Sequence, residues 1–228
     1  VNKFEKNFSQ YCNAKYCVTV SSGSMGLLLA VKSLDLKKTD EVITVANSDI
    51  PTSHAISLSG AKIRWVDVEE SSFNIDPQEI FKKINKNTKA ILPVHLFGNP
   101  AKMDEICKIA KKYKLKIIED ACLSAGASYQ NKKIGSIGDI TVFSTNPGKI
   151  LDGIGHGGII TTNNKQTYLK LKQLRDYGRS KRPGQWSVNS EIIGYNSKLS
   201  AIDAAVLNIR LKYLNWYVKK RNLNAALY

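Results

Sequence analysis

Apolar positions along the chain alternate between two spacings. Phe4, Phe8 and Tyr11 lie at helical spacing and predict a helix over 2–11. Short apolar, β-branched runs predict strands over 16–20, 41–45, 62–66, 90–94, 115–119, 140–144 and 158–162. Helical patterns fill the intervals, over 24–34, 51–59, 76–84, 103–113, 166–177 and 201–214. Pro51 falls in the first turn of its helix, and Asp76 stands as an N-cap before Pro77. Strands that are apolar nearly throughout need cover on both faces. The predicted class is therefore α/β, a three-layer sandwich around a mainly parallel sheet. The stretch over 178–189, with Arg179, Lys181 and Arg182, reads as one long polar loop.

Composition narrows the function classes. A chain of 228 residues, 43% hydrophobic and 23% charged, suits one domain, or one large domain with an appendage, with a sizeable core, which excludes disorder as its main state. No run of about 18 apolar residues exists, so no membrane partner is expected. The start, Val1-Asn2-Lys3-Phe4-Glu5-Lys6, has no apolar signal core, and the four cysteines form no CxxC pair. Both points suggest reduced thiols in a cytoplasmic protein. Three histidines at unrelated spacings offer no metal site. Lys plus Arg number 34 against 19 acids, a net charge of +15. That balance suits a phosphorylated small molecule, or reflects only a lysine-rich proteome. No Arg-rich run and no aromatic-interleaved basic motif is present, so nucleic acid is not expected as a partner.

Open parallel sheets bind ligands beyond the carboxyl ends of their strands. Three segments there carry chemistry. Ser21-Ser22-Gly23-Ser24-Met25-Gly26 runs from the first strand into an apolar helix. It presents N–H groups to an anion such as phosphate, or is ordinary N-cap chemistry. Glu119-Asp120 ends an apolar strand, where a carboxylate either holds a protonated ring nitrogen or a metal, or caps the next turn. Lys149 follows Ser144-Thr145-Asn146-Pro147-Gly148 and precedes a glycine-rich stretch through Gly158. Ile150 after Lys149 rules out the P-loop pattern. A lysine in that setting can form a Schiff base with a carbonyl or with pyridoxal phosphate. A phosphate loop, then a strand-terminal Asp, then a Lys suits a cofactor with a phosphate, a pyridinium nitrogen and an aldehyde.

With these residues in place the chain resembles the large domain of the DegT/DnrJ/EryC1/StrS sugar aminotransferases. Six ordered blocks carry the resemblance: 16–29; 60–76, with Val66-Asp67-Val68 and Phe73-Asn74-Ile75-Asp76; Pro93-Val94-His95-Leu96-Phe97-Gly98 with Met103-Asp104; Glu119-Asp120-Ala121-Cys122; 138–149; and Gly194-Tyr195-Asn196 with Lys198-Leu199-Ser200. The resemblance implies an aspartate-aminotransferase-like (fold type I) large domain over 1–228, with the family's C-terminal small domain absent from this chain. It implies an aminotransferase that moves an amino group from glutamate or glutamine to a keto-sugar, one linked to a nucleotide. Lys149 would hold pyridoxal 5'-phosphate and shuttle the proton between cofactor and substrate carbons. Asp120 would pair with the pyridinium nitrogen. Gly23, Ser24 and Met25 would bind the phosphate, with Ser144 adding a hydroxyl. Asn196 would reach the phosphate of a neighbouring subunit, which implies a homodimer with shared active sites.

Departures from the family pattern matter as well. Ile50 falls about where the family places an aromatic residue over the cofactor ring, so ring stacking comes from Ile50 or His54, or is weaker than in the family. Leu123 stands where Gln is frequent. His156 lies in the glycine-rich segment and either touches substrate or faces solvent. Arg179 and Lys181 either meet substrate phosphates or belong to a solvated basic loop. Two other functions stay open. One is a sugar dehydratase of the same family, which would typically carry His in place of Lys149. The other is a non-catalytic, cofactor-binding regulatory or scaffold relative.

Overall fold

The apolar runs become a single sheet. The computed structural model describes residues 1–179 and 189–228. After helix α1 (Asn2–Cys12) come β1 (Tyr16–Val20), α2 (Gly23–Lys32), β2 (Glu41–Val45), α3 (Ile50–Ser59), β3 (Lys62–Val66), α4 (Pro77–Lys83) and β4 (Thr88–Ile91). The second half holds α5 (Met103–Tyr113), β5 (Lys116–Asp120), the small hairpin β6 (Ser128–Tyr129) and β7 (Lys132–Lys133), β8 (Ile140–Ser144) and β9 (Gly158–Thr162). Helices α6 (Lys165–Arg175), α7 (Ala201–Leu211) and α8 (Leu214–Ala225) follow.

Seven strands pair in the order β1-β9-β8-β5-β4-β2-β3. The pairs β2–β3, β2–β4, β4–β5 and β5–β8 are parallel, while β9 runs antiparallel to both β1 and β8. From β2 the chain passes to β3 on one side and returns to β4 on the other. That reversal opens a crevice at the carboxyl ends of the strands.

Strand alternation sends neighbouring side chains to opposite faces. Ile140, Val142 and Ile160 join a core cluster that contains Leu27 and Leu29 of α2, Ile56 of α3, Ile80 of α4 and Met103 and Ile106 of α5. Phe143 and Ile159 join a second cluster that contains Phe4 and Phe8 of α1, Leu207 of α7 and Leu214 of α8. Phe143 meets Phe8 edge-on, with ring centroids 5.2 Å apart. Two apolar layers of helices thus cover the sheet.

Three elements differ from the sequence reading. The strand expected over 90–94 leaves the regular ladder after Ile91. Pro93 has no N–H to donate, although its carbonyl still accepts from Asp120 N at 2.9 Å. The helix expected over 201–214 ends at Leu211 and turns at Lys212 and Tyr213 into α8. The β6–β7 hairpin was not read from the pattern, because two-residue strands carry no periodicity.

Candidate active site

The carboxyl ends of β1, β2, β5 and β8 bring the three chemical segments together around a cavity of about 370 Å³. Its wall includes Ser22, Gly23 and Ser24 from the start of α2, Asp120 from the end of β5, and Ser144, Lys149 and His156 from the segments after β8. Asp49, Pro51 and Thr52 at the start of α3 close the opposite side.

Asp120 is 5% exposed and held on both oxygens. Its Oδ1 accepts from Cys122 N at 3.1 Å, and its Oδ2 accepts from Thr52 Oγ1 at 2.7 Å. The Thr52 hydroxyl hydrogen is engaged with Asp120, so Ser48 Oγ donates to Thr52 Oγ1 across 2.6 Å. The main chain fixes the same residue, with Asp120 N bonded to Pro93 O and His95 N bonded to Asp120 O. A carboxylate so oriented is suited to a cationic partner inside the cavity.

The N-terminus of α2 forms the second feature. Ser22 caps the helix, accepting from Met25 N at 3.1 Å. A helix leaves its first N–H groups without intrahelical acceptors. With Met25 N already capped, Gly23 and Ser24 bring theirs to the cavity wall. A Cβ on Gly23 would lie 2.9 Å from Ser144 Cβ and 3.0 Å from Cys122 Sγ. Glycine is therefore what lets this helix end sit against β8. Ser144 Oγ accepts from Asn146 N at 3.3 Å, and Asn146, which lines the cavity, has a buried Oδ1 without a hydrogen-bond partner among the described residues.

Lys149 sits on a turn closed by its own N–H to Asn146 O at 3.0 Å. With Leu123 it also borders an adjoining cavity of about 670 Å³, which reaches Phe97, Lys133 and Arg221. Burial lifts the Cys122 thiol well above its ordinary range, and the charge of Asp120 pushes the same way.

Behind the site lies a buried polar network. His95 and Glu119 are both fully buried, with His95 Nε2 2.9 Å from Glu119 Oε2. Ala101 N donates to His95 Nδ1 at 3.1 Å, so the ring hydrogen sits on Nε2 and points to Glu119. Glu119 Oε1 accepts from Gly138 N at 2.7 Å and from Thr141 Oγ1 at 2.6 Å.

The structure thus gathers Lys149, Asp120, Gly23, Ser24, Ser144 and His156 at one cavity. It differs at Met25, whose N–H the Ser22 cap consumes and whose side chain packs on the core instead. It also differs at Ile50, which is 62% exposed, while Asp49 and Pro51 line the wall. Asn196 is exposed and pairs with Asp176 outside this cavity. Arg179 is also exposed, with its guanidinium 5.0 Å from the Tyr177 ring centroid. Lys181 lies outside the described residues. Thr52, Ser48 and Asp49 were missed by sequence reasoning. Their signal was a strand-end position after β2, the same rule that singled out Asp120.

Among the described residues, no group of His, Cys, Asp and Glu could hold a metal ion, and no helix is long and apolar enough to cross a membrane. The chain is 42% identical over 228 residues to a dTDP-3-amino-3,6-dideoxy-alpha-D-galactopyranose transaminase of Aneurinibacillus thermoaerophilus, covering all of this chain and 61% of that one. It superposes with a TM-score of 0.93 on the E. coli GDP-4-keto-6-deoxy-D-mannose-3-dehydratase with bound hydrated PLP, at 31% identity over 99% of this chain and 63% of that one. DesV of Streptomyces venezuelae matches with a TM-score of 0.89 at 37% identity, over 94% of this chain and 56% of that one. The chain therefore spans about three-fifths of the length of the curated relatives it matches. Sequence blocks, sheet topology and the residues at the strand ends converge, and the family model matches residues 1–228: the chain belongs to the DegT/DnrJ/EryC1/StrS aminotransferase family.

Proposed function

We propose that this chain forms the cofactor-binding part of a pyridoxal-phosphate-dependent aminotransferase acting on a nucleotide-linked keto-sugar. The observation that carries the reading is the convergence of Lys149, Asp120 and the α2 N-terminus on one cavity. The residues fit the cofactor group by group. Gly23 N–H, Ser24 and Ser144 suit its phosphate. Asp120, oriented by Thr52 and Cys122 N–H, suits a protonated ring nitrogen. Pyridoxal phosphate supplies an aldehyde that condenses with amines and a ring that accepts electrons from the substrate carbon.

The remaining chemistry belongs to the chain. Asp120 keeps the ring nitrogen protonated by facing it with a fixed negative charge. Lys149, at the border of both cavities, would hold the cofactor through its amine and carry the proton between the substrate carbon and the cofactor carbon. Glutamate or glutamine would leave its amino group with the cofactor and depart as the 2-oxo acid. The keto-sugar then enters the same site, takes the amino group and leaves as the amino-sugar. His156 at the cavity wall suits a contact to the substrate. Asn196, exposed and away from its own cavity, suits the site of a second copy in a homodimer. Arg179 and Lys181 suit the substrate diphosphate. Four free cysteines agree with a cytoplasmic setting.

The test is a borohydride trap. Purified protein is incubated with pyridoxal phosphate, reduced and digested, and the modified peptide is mapped beside Lys149→Ala. Stoichiometric label on Lys149, lost in the variant, is expected, followed by release of 2-oxoglutarate from glutamate in the presence of a nucleotide-linked keto-sugar. Label scattered over surface lysines would overturn the reading. Loss of a sugar hydroxyl without amino transfer would point instead to a dehydratase, the activity of the E. coli structural relative.

A further inference from the structure

The glycine-rich stretch after Lys149 has a partner within the protein. Asp203, in the first turn of α7, is 7% exposed. Its Oδ1 accepts from Ile154 N at 3.0 Å and from Gly155 N at 2.8 Å. A Cβ on Gly153 would stand 2.8 Å from Asp203 Oδ1, and one on Gly155 would stand 3.2 Å from Oδ2. The loop backbone thus lies directly on this carboxylate, which accounts for glycine at both positions. Two charge-assisted bonds from one acceptor make a strong clamp.

Helix α7 grips the loop a second time. Arg210 Nη1 donates to Asp152 O at 3.1 Å and pairs with the Asp152 carboxylate. Asp152 Oδ2 in turn accepts from Gly148 N at 3.4 Å, directly before Lys149. The base of the loop is closed by Thr145 N to Gly157 O and Gly153 N to Thr145 O, both 2.8 Å. The lysine turn is therefore tied to β8 at its base and to α7 on its far side.

We infer that Asp203, assisted by Arg210, is a positioning residue that holds the Lys149 loop on α7 and so presents the lysine amine to the Asp120 cavity. This rests on the reading of Lys149 as the cofactor lysine. The inference adds a residue on a distant helix that touches neither substrate nor cofactor but sets where the amine sits.

The experiment compares full-chain wild type, Asp203→Ala, Asp203→Asn and Arg210→Met. Asn keeps an oxygen for both N–H groups, whereas Ala keeps none. The first readout needs no cofactor: amide exchange at Ile154 and Gly155 should rise at least tenfold in Asp203→Ala, with β5 and β8 amides unchanged. The second is the initial rate of borohydride-trapped pyridoxal phosphate on Lys149, which should fall at least tenfold in Asp203→Ala. Asp203→Asn should restore both to within about threefold of wild type, a rescue that general destabilisation would not give. Should Asp203→Ala fail to fold, Arg210→Met decides, with an expected threefold or greater loss of Lys149 labelling. Wild-type labelling in the folded loop variants overturns the inference, as does equal loss in Ala and Asn. A wild-type chain without Lys149 label sinks the cofactor reading instead, and the exchange data still judge the clamp.

Discussion

Replacing Thr52 by Val removes one hydroxyl at nearly constant volume, which makes it a sharp probe of Asp120. The wild-type hydroxyl donates to Asp120 Oδ2 at 2.7 Å and accepts from Ser48 Oγ at 2.6 Å. Thr52 is 2% exposed, so water does not enter in its place without rearrangement. A hydrogen bond to a charged group contributes about 1.5–3 kcal/mol, and an orphaned buried partner costs about 1–3 kcal/mol. Asp120 keeps the Cys122 N–H, and half-buried Ser48 can turn toward water, so the lower end applies. The expected loss is about 1.5 kcal/mol of folding stability, or roughly tenfold in the equilibrium. Freed from Thr52, the carboxylate should also hold pyridoxal phosphate about tenfold more weakly, by the same arithmetic. Thr52→Ser separates the two effects. It keeps the hydroxyl and loses a buried methyl, at about 1 kcal/mol of stability. Its cofactor affinity should stay near wild type. Urea unfolding gives the first quantity and absorbance titration with pyridoxal phosphate the second. A Val variant that binds the cofactor as tightly as wild type would refute the role given to Thr52, as would Val and Ser variants with equal affinities.

Two further outcomes are expected. Glu119→Gln should lower stability by about 3 kcal/mol in urea unfolding, because an amide cannot accept from His95, Gly138 and Thr141 together and one buried donor is orphaned; a loss under about 0.5 kcal/mol would remove the network from the account. Hydrogen bonds from Arg64, and then Asn85, hold the Glu41 carboxyl below its ordinary value of 4.5, so the stability it contributes is full above that pH and is lost as pH falls through the lower folded value. Arg64→Ala should therefore flatten the acid side of the stability profile while leaving the site untouched; an unchanged slope between wild type and variant would contradict this.

Much of the sheet was legible because its strands are bounded, five-residue apolar runs. The ends of β1, β2, β3, β8 and β9 fall where the pattern places them. Helix α8 escaped because it buries Leu214 and little else, so it carries almost no amphipathic signal. Within the site, residues that directly follow strands were legible by topology alone. What sequence could not give was pairing across the chain. Nothing local tells that Thr52 meets a residue 68 positions away, or that Asp203 meets the loop 48 and 49 positions before it. Ile50 and Met25 lie just off the cavity lining. Each lies one residue from a position that does line the cavity, and helical geometry turns one neighbour in and the other out.

Glu119 and Asp120 carry this logic furthest. As a sequence they are two like acids ending one strand, with equal claims on the chemistry. In the sheet, Glu119 pairs with Thr141 and Asp120 with Val142. Because successive strand residues face opposite ways, Asp120 shares a face with Val142, which packs in the cluster built on α2 and α3. Glu119 shares the other face with Thr141 and spends its charge on His95, Gly138 N–H and the Thr141 hydroxyl. Three protein donors hold it among the described residues, and no solvent reaches it. Asp120 points to the α2 and α3 side, where two helix starts meet the crevice, and among the described residues Thr52 and the Cys122 N–H are the two donors to its side chain. The pleat therefore assigns the roles: one carboxylate ties β5 to β8 and to the segment after β4, while its neighbour is left oriented and incompletely satisfied toward the cavity. A one-residue slip of β5 would exchange them, placing the larger side chain in the site and leaving His95 without its acceptor. The buried network behind the site thus has a second effect, since the bonds that fix Glu119 in register also keep Asp120 on the cavity side of the strand.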